Sequence, residues 1–340
     1  MSKPEISKIA VIGAGSWGTT LGNLLVEKGC RVDLWVREEE VYHQIKEERV
    51  NRKFLPDMAL NPLLNPVRSH EEAMSQKELV LLVVPSQFFR EILNHVKPHL
   101  RPGMALMSAN KGIENETLLT MSQVAETVLH KEYMERYACL TGPSFAREVF
   151  VKQPTAVTIG CQDVNHAERL QRLFSTEFFR VYTTEDLIGV ELAGALKNVL
   201  AIASGMSDGL NFGHNARAAL ITRGLAEITR LGVAMGANPL TFAGLAGMGD
   251  LVLTCTGDLS RNRTVGLKIG QGMKLQEIIK GMDMVAEGVK TTVAAHQLAT
   301  KMGVDMPIIN QVYHILYDGK DPQKAVREIM SRELKPELHT

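Results

Sequence analysis

A chain of 340 residues with 45% hydrophobic and 22% charged residues is too long for one ordinary core and too apolar for disorder, so two domains of roughly 150 residues each are expected. Its 38 lysines and arginines balance 38 aspartates and glutamates. No global field therefore attracts nucleic acid or an anionic membrane, and an anionic substrate needs local cations.

The opening MSKPEISKIAVIGAG carries too short an apolar run for a signal peptide, and nowhere do about 20 apolar residues run unbroken. Cys30, Cys139, Cys161 and Cys255 lie far apart and form no C-x-x-C pair. The expectation is a cytoplasmic protein with reduced thiols, no membrane insertion, no disulfide and no zinc site.

The first half alternates strand-length apolar runs with amphipathic stretches. Strands are expected over 9–12, 31–36, 79–84, 104–108, 137–140, 155–159 and 180–183. The run LVLLVV at 79–84 is apolar on both faces, as a central strand covered by helices on each side must be. Alternation of this kind predicts an α/β fold with a doubly wound, Rossmann-type parallel sheet. After Asp186 the chain becomes rich in Ala, Gly, Leu and Met, and helices are expected over 187–206, 217–235, 289–301 and 307–317. Residues 1–185 thus read as a nucleotide-binding domain and 186–340 as an all-α domain.

Gly13-Ala14-Gly15-Ser16-Trp17-Gly18 matches G-x-G-x-x-G between the strand at 9–12 and a helix expected over 19–28, with the next strand from Arg31. This is the βαβ setting of the dinucleotide fingerprint: Gly13 for the tight turn, Gly15 for close approach to a pyrophosphate, Gly18 for helix–strand packing. The phosphates then face the helix N-terminus. The second strand ends Trp35-Val36-Arg37, and an arginine there favours a 2′-phosphate. NADP(H) is the preferred cofactor, with NAD(H) also accommodated because Glu38 to Glu40 follow at once.

The stretch LIGVELAGALKNVLAIASGM at 187–206 holds two charges, Glu191 and Lys197. At 100° per residue, Lys197 points away from the main apolar stripe, yet its neighbours there are Val190, Ala193, Gly194, Ala201 and Ser204. A helix without a charged face is buried all round. Lys197 is then desolvated, which lowers its pKa and suits it to moving a proton; the alternative is a lysine that snorkels outward or pairs structurally with a carboxylate.

Ligands of such sheets bind beyond the carboxyl ends of the strands. Polar groups follow three of them: Pro85-Ser86 after Val84, Asn110-Lys111-Gly112 after Ser108, and Thr141-Gly142-Pro143-Ser144 after Leu140. Lys111 suits a substrate phosphate or the cofactor, and Pro143 suits the first turn of a helix. Further on, Ser260-Arg261-Asn262 offers a hydroxyl, a guanidinium fork and an amide, a phosphate clamp. Asp250, beside Gly249, reads either as a turn former or as the acid that orients Lys197. His95 and His99 are four apart, but Pro98 interrupts their helix and no third ligand is placed near them, so no metal is expected.

Together these motifs resemble the bacterial NAD(P)-dependent glycerol-3-phosphate dehydrogenases, from Ile9 to about Tyr317. The resemblance is carried by GAGSWGT at 13–19, NKG at 110–112, TGPSFA at 141–146, GALKN at 194–198, MSDGLNFGHNARAALITRGL at 206–225 and GMGDLVLTCTGDLSRNR at 247–263. It implies reduction of dihydroxyacetone phosphate to sn-glycerol 3-phosphate, the precursor of phospholipids, with Lys197 as proton donor in that direction and acceptor in reverse. It implies substrate contacts from Lys111, Gly142, Ser144, Asp250, Ser260, Arg261 and Asn262. It implies cofactor contacts from Ser16, Trp17, Arg37, Lys111, Ala146, Arg261, Val285 and Glu287. The family often carries a basic pair or His-Arg where this chain has Val36-Arg37, so only Arg37 is carried over.

Two other readings compete. A hydroxyacid or ketopantoate-type reductase shares the fold and the lysine, but its carboxylate substrate has no use for the phosphate clamp. A nucleotide-sensing module has no use for a buried lysine. The apolar helices of the second domain are compatible with a homodimer.

Overall fold

The computed structural model describes residues 5–282, 284–334 and 336–337. Ten strands are described: β1 (Lys8–Ile12), β2 (Arg31–Trp35), β3 (Val50–Asn51), β4 (Leu55–Ala59), β5 (Asn65–Val67), β6 (Leu79–Leu82), β7 (Ala105–Ser108), β8 (Tyr137–Thr141), β9 (Thr155–Cys161) and β10 (Phe179–Thr184). Eight of them form one sheet in the order β10-β9-β8-β7-β6-β1-β2-β5, and β3 pairs with β4 in a separate hairpin. Alternating side chains of the central strands feed two cores. Ile9, Val11, Leu79 and Leu81 enter one face, while Ala10, Ile12, Val80 and Leu82 enter the other.

The six strands from β5 to β8 run parallel, but β9 is antiparallel to β8, and β10 then pairs parallel with β9. The sheet is parallel as expected through those six strands and departs from that pattern only at the β8–β9 pair. Between β8 and β9 the only helix is Ala146–Phe150, about 7 Å long, too short to carry the chain back along a strand of about 17 Å. The chain reverses instead. The 11-residue helix Val164–Phe174 between β9 and β10 is long enough, and that pair is parallel. The two- to five-residue strands β3, β4 and β5 were absent from the sequence reading, since they are too short for a periodic signal and include Pro56 and Pro66.

After Thr184 the chain turns helical. Asp186 caps helix Leu187–Gly209 by accepting from the Gly189 backbone N–H at 3.0 Å, and every residue from Gly189 to Ser207 is buried. By length and hydropathy this helix could cross a bilayer, but 89% of its apolar window is covered by the protein itself. Around it pack His214–Ala234, Asp250–Thr256, Arg261–Gly270, Glu287–Met302 and Pro307–Tyr317. The last of these has the bounds expected from sequence. Asp250–Thr256 and Arg261–Gly270 fall where the sequence carries no helical expectation. All four cysteines are buried free thiols.

Candidate active site

A cleft of about 670 Å³ runs from the carboxyl ends of β1, β6 and β7 to the helical part, within the range of small-ligand sites. The glycine loop forms one wall. Gly13 has φ +118°, and a Cβ on it would lie 2.4 Å from the Val83 carbonyl oxygen; one on Gly18 would lie 1.9 Å from the Gly13 oxygen. Gly15 is different: a Cβ there would meet nothing within 4 Å and would project into open space. The helix expected from Thr19 begins earlier, at Ser16, so its free N–H groups open on the loop. Asn51 of the unforeseen hairpin pins the loop, donating to the Ala14 carbonyl and the Thr19 hydroxyl, each at 2.9 Å.

Ser16, Trp17 and Arg37 line the same cleft. The Trp17 indole N–H is buried with no hydrogen-bond partner among the described residues. Arg37 is exposed and bonds the adjacent Glu38 at 2.7 Å, a surface pair of small energetic value that another anion can displace.

Opposite stands Lys197, 5% exposed. Its ammonium donates to Asp250 Oδ1 and to the Thr254 hydroxyl, both at 2.6 Å. The second Asp250 oxygen accepts from Lys111 Nζ at 2.7 Å, and Lys111 also donates to the Gly142 carbonyl at 3.0 Å. One carboxylate thus sits between two ammonium groups, leaving net positive charge on the buried wall of the cleft. Burial lowers the Lys197 pKa, Asp250 pulls it back up and Lys111 pushes it down, leaving it at about 8. Asp250 is therefore the partner of Lys197 rather than a turn former, on a helix one turn from Thr254.

Ser260 stands at the start of a helix. It caps the ten-residue helix Arg261–Gly270, its hydroxyl oxygen accepting from the Arg263 N–H at 3.2 Å. Arg261, at the first position, makes no ion pair or hydrogen bond among the described residues. Its side chain is reachable by water yet enclosed by the concave wall, and that enclosure lowers its pKa while Glu287 opposes the shift. Asn262 is mostly committed: its oxygen accepts from the Gly288 N–H and its amide donates to Asn198, each at 2.9 Å. One amide hydrogen of the expected clamp remains.

Glu287 reaches across from its helix to the end of β6, accepting from the Ser86 backbone N–H at 3.1 Å and the Ser86 hydroxyl at 2.5 Å. Ser144, Ala146 and Val285 line the cleft; Gly142 does not, and its carbonyl instead accepts from Lys111 and from the Ser144 hydroxyl. Pro143 lies in the bend before helix Ala146–Phe150 and not in its first turn. Asn198 and Thr254 were not singled out from sequence. Asn198 joins the backbone carbonyl of Lys111 to Asn262, and its signal was its place next to Lys197.

A glycine cradle open over Gly15 and a buried lysine–carboxylate pair, both lining one cleft, define a nucleotide-dependent oxidoreductase with a separate helical part. Family models confirm the class: one described as NAD-dependent glycerol-3-phosphate dehydrogenase N-terminus matches residues 8–167, and its C-terminal counterpart matches 186–327. The chain belongs to the NAD-dependent glycerol-3-phosphate dehydrogenase family, and a nicotinamide cofactor goes with that membership. A glycerol-3-phosphate dehydrogenase [NAD(P)+] of Geobacter metallireducens is 58% identical over 330 residues, 97% of this chain and 98% of that one. The crystal structure of glycerol-3-phosphate dehydrogenase from Coxiella burnetii superposes with a TM-score of 0.92 at 39% identity, covering 97% of this chain and all of that one. A 2-dehydropantoate 2-reductase, at 15% identity and a TM-score of 0.59, shares the fold alone.

Proposed function

We propose that this chain reduces dihydroxyacetone phosphate to sn-glycerol 3-phosphate, reversibly, with Lys197 moving the proton. The buried Lys197–Asp250 pair, 2.6 Å apart on the wall facing the glycine loop, carries the reading. The open space over Gly15 and the helix N-terminus behind it fit a pyrophosphate. Ser16, Trp17, Ala146 and Val285 would flank the dinucleotide, with Glu287 toward its nicotinamide end; when bound, the nicotinamide supplies the hydride.

The protein's part is positioning and charge. Lys197 Nζ holds a proton at neutral pH and gives it to the substrate's C2 oxygen as that oxygen becomes negative. Asp250 keeps the ammonium aimed, and Lys111 adds positive charge beside it. Arg261, free of any ion pair among the described residues, takes the substrate phosphate together with the remaining Asn262 hydrogen and the Ser260 hydroxyl. Such alignment is worth on the order of 7 kcal/mol or more when it is good. The test is oxidation of NADPH or NADH by the purified chain with dihydroxyacetone phosphate; no turnover with either cofactor refutes the proposal.

Several finer points belong to the same proposal. NADPH is preferred over NADH because Arg37 releases Glu38 to meet a 2′-phosphate. The functional division falls at 185/186, with no metal in the reaction. The chain works in the cytoplasm, supported by its four buried free thiols. It works as a homodimer, supported by exposed Val233, Leu240 and Val252 in the helical part and testable by light scattering.

A further inference from the structure

A second cavity, of about 440 Å³, lies at the other end of the sheet, where the central strands begin. Lys8 opens β1, and Arg136 stands immediately before β8. Helix Val164–Phe174 contributes His166 and Arg169, and the turn before β7 contributes Arg101.

The charge of this cavity is lopsided although the chain as a whole is neutral. Its two carboxylates are already engaged. Glu78 accepts from the Ser7 and Lys8 backbone N–H groups at 2.8 and 2.9 Å, and Glu5 pairs with Arg169 at 2.8 Å. The side chains of Lys8, Arg101 and Arg136 make no ion pair within 4 Å among the described residues. His166 is 3% exposed, and neither of its ring nitrogens has a hydrogen-bond partner among the described residues. Buried polar atoms are nearly always bonded, so an unpartnered imidazole on a cavity wall is available to bond a group held in the cavity. Burial, reinforced by Arg169, holds the His166 pKa down to about 4. The ring is therefore neutral near pH 7 and offers one N–H donor and one lone pair.

We propose that this cavity binds a compact phosphoryl anion of pyrophosphate or sugar-phosphate size, at a site separate from the cleft. Guanidinium forks match phosphoryl oxygens two at a time, a geometry that lysine alone does not supply. The neutral His166 N–H completes the shell without adding charge. None of these residues is needed for the proposed reaction, whose groups all lie at the opposite strand ends.

The test is calorimetric titration of pyrophosphate into the full chain at constant ionic strength, beside an Arg101→Ala/Arg136→Ala double variant. Both side chains are exposed, so the variant should fold. The wild-type chain should show a binding event that the variant loses or binds at least ~10-fold more weakly, with kcat and KM for dihydroxyacetone phosphate unchanged in both. His166→Asn should weaken the same event. Equal stoichiometry and affinity in wild type and double variant overturn the proposal, as does the absence of any pyrophosphate binding to the wild type. Citrate binding as tightly as pyrophosphate overturns the phosphoryl assignment.

Discussion

At Lys197 burial, Asp250 and Lys111 act on one proton, and their balance near pH 8 makes the two directions of reaction titrate oppositely. Below that value Nζ carries the proton that reduction consumes; above it the free amine accepts the proton that oxidation releases. Reduction kcat/KM should therefore fall as pH rises through about 8 and oxidation should rise over the same interval; profiles flat in both directions contradict the proton role. Asp250→Asn removes the charge that raises this pKa, so the inflection should move to lower pH while cofactor binding persists. Lys197→Ala should cost about 10²–10⁴-fold in kcat, the usual worth of a general acid, with NADPH binding by fluorescence titration left near wild type. At Arg37, substitution by alanine should narrow the ratio of kcat/KM for NADPH over NADH; an unchanged ratio would assign cofactor preference elsewhere.

Helix pairing decides whether these side chains meet. Gly205 and Gly209 on one helix face Gly266 and Gly270 on Arg261–Gly270, each pair one turn apart. A Cβ on Gly266 would lie 1.9 Å from the Ile202 carbonyl oxygen, and one on Gly205 would lie 2.0 Å from that of Arg263. The backbones touch, and this contact brings Asn262 to Asn198 and sets Arg261 over the cleft. Gly266→Ala cannot be absorbed by a side-chain shift, since the obstacle is backbone. It should destabilise by about 1–3 kcal/mol or more, read by denaturant unfolding, and should raise KM for the phosphate substrate as the helix moves.

Across the whole molecule, the cleft has one wall from the sheet and one from the helices, and Glu287 on Ser86 ties them. Gly112 is confined at that junction, where a Cβ would lie 2.2 Å from the Ser86 hydroxyl oxygen. Ser86→Ala removes the hydroxyl and leaves Glu287 one backbone N–H. A hydrogen bond to a charged group is worth about 1.5–3 kcal/mol, so KM for the cofactor should rise by roughly tenfold or more while the pH inflection of Lys197 stays in place. Loss of the inflection would mean that Ser86 acts on the proton site instead.

Much of this was written in local sequence. The β1–loop–helix–β2 unit is legible because its signals are contiguous: an apolar run, three spaced glycines and a helical stretch. The burial of Lys197 is legible because a helix with no charged face can only be interior. The reversal of β9, the hairpin that supplies Asn51, and the recasting of Ser260 as a helix cap were not legible, since short elements owe their form to what they pack against. The partners of Lys197 were beyond sequence altogether. Asp250 is 53 residues away and Lys111 lies 139 residues from Asp250, and only the packing of helix Asp250–Thr256 against Leu187–Gly209, beside the segment that follows β7, brings the three within hydrogen-bonding distance. Sequence determined which residues carry charge into an apolar interior; tertiary packing decided which charges share a carboxylate, and so at what pH the lysine gives up its proton.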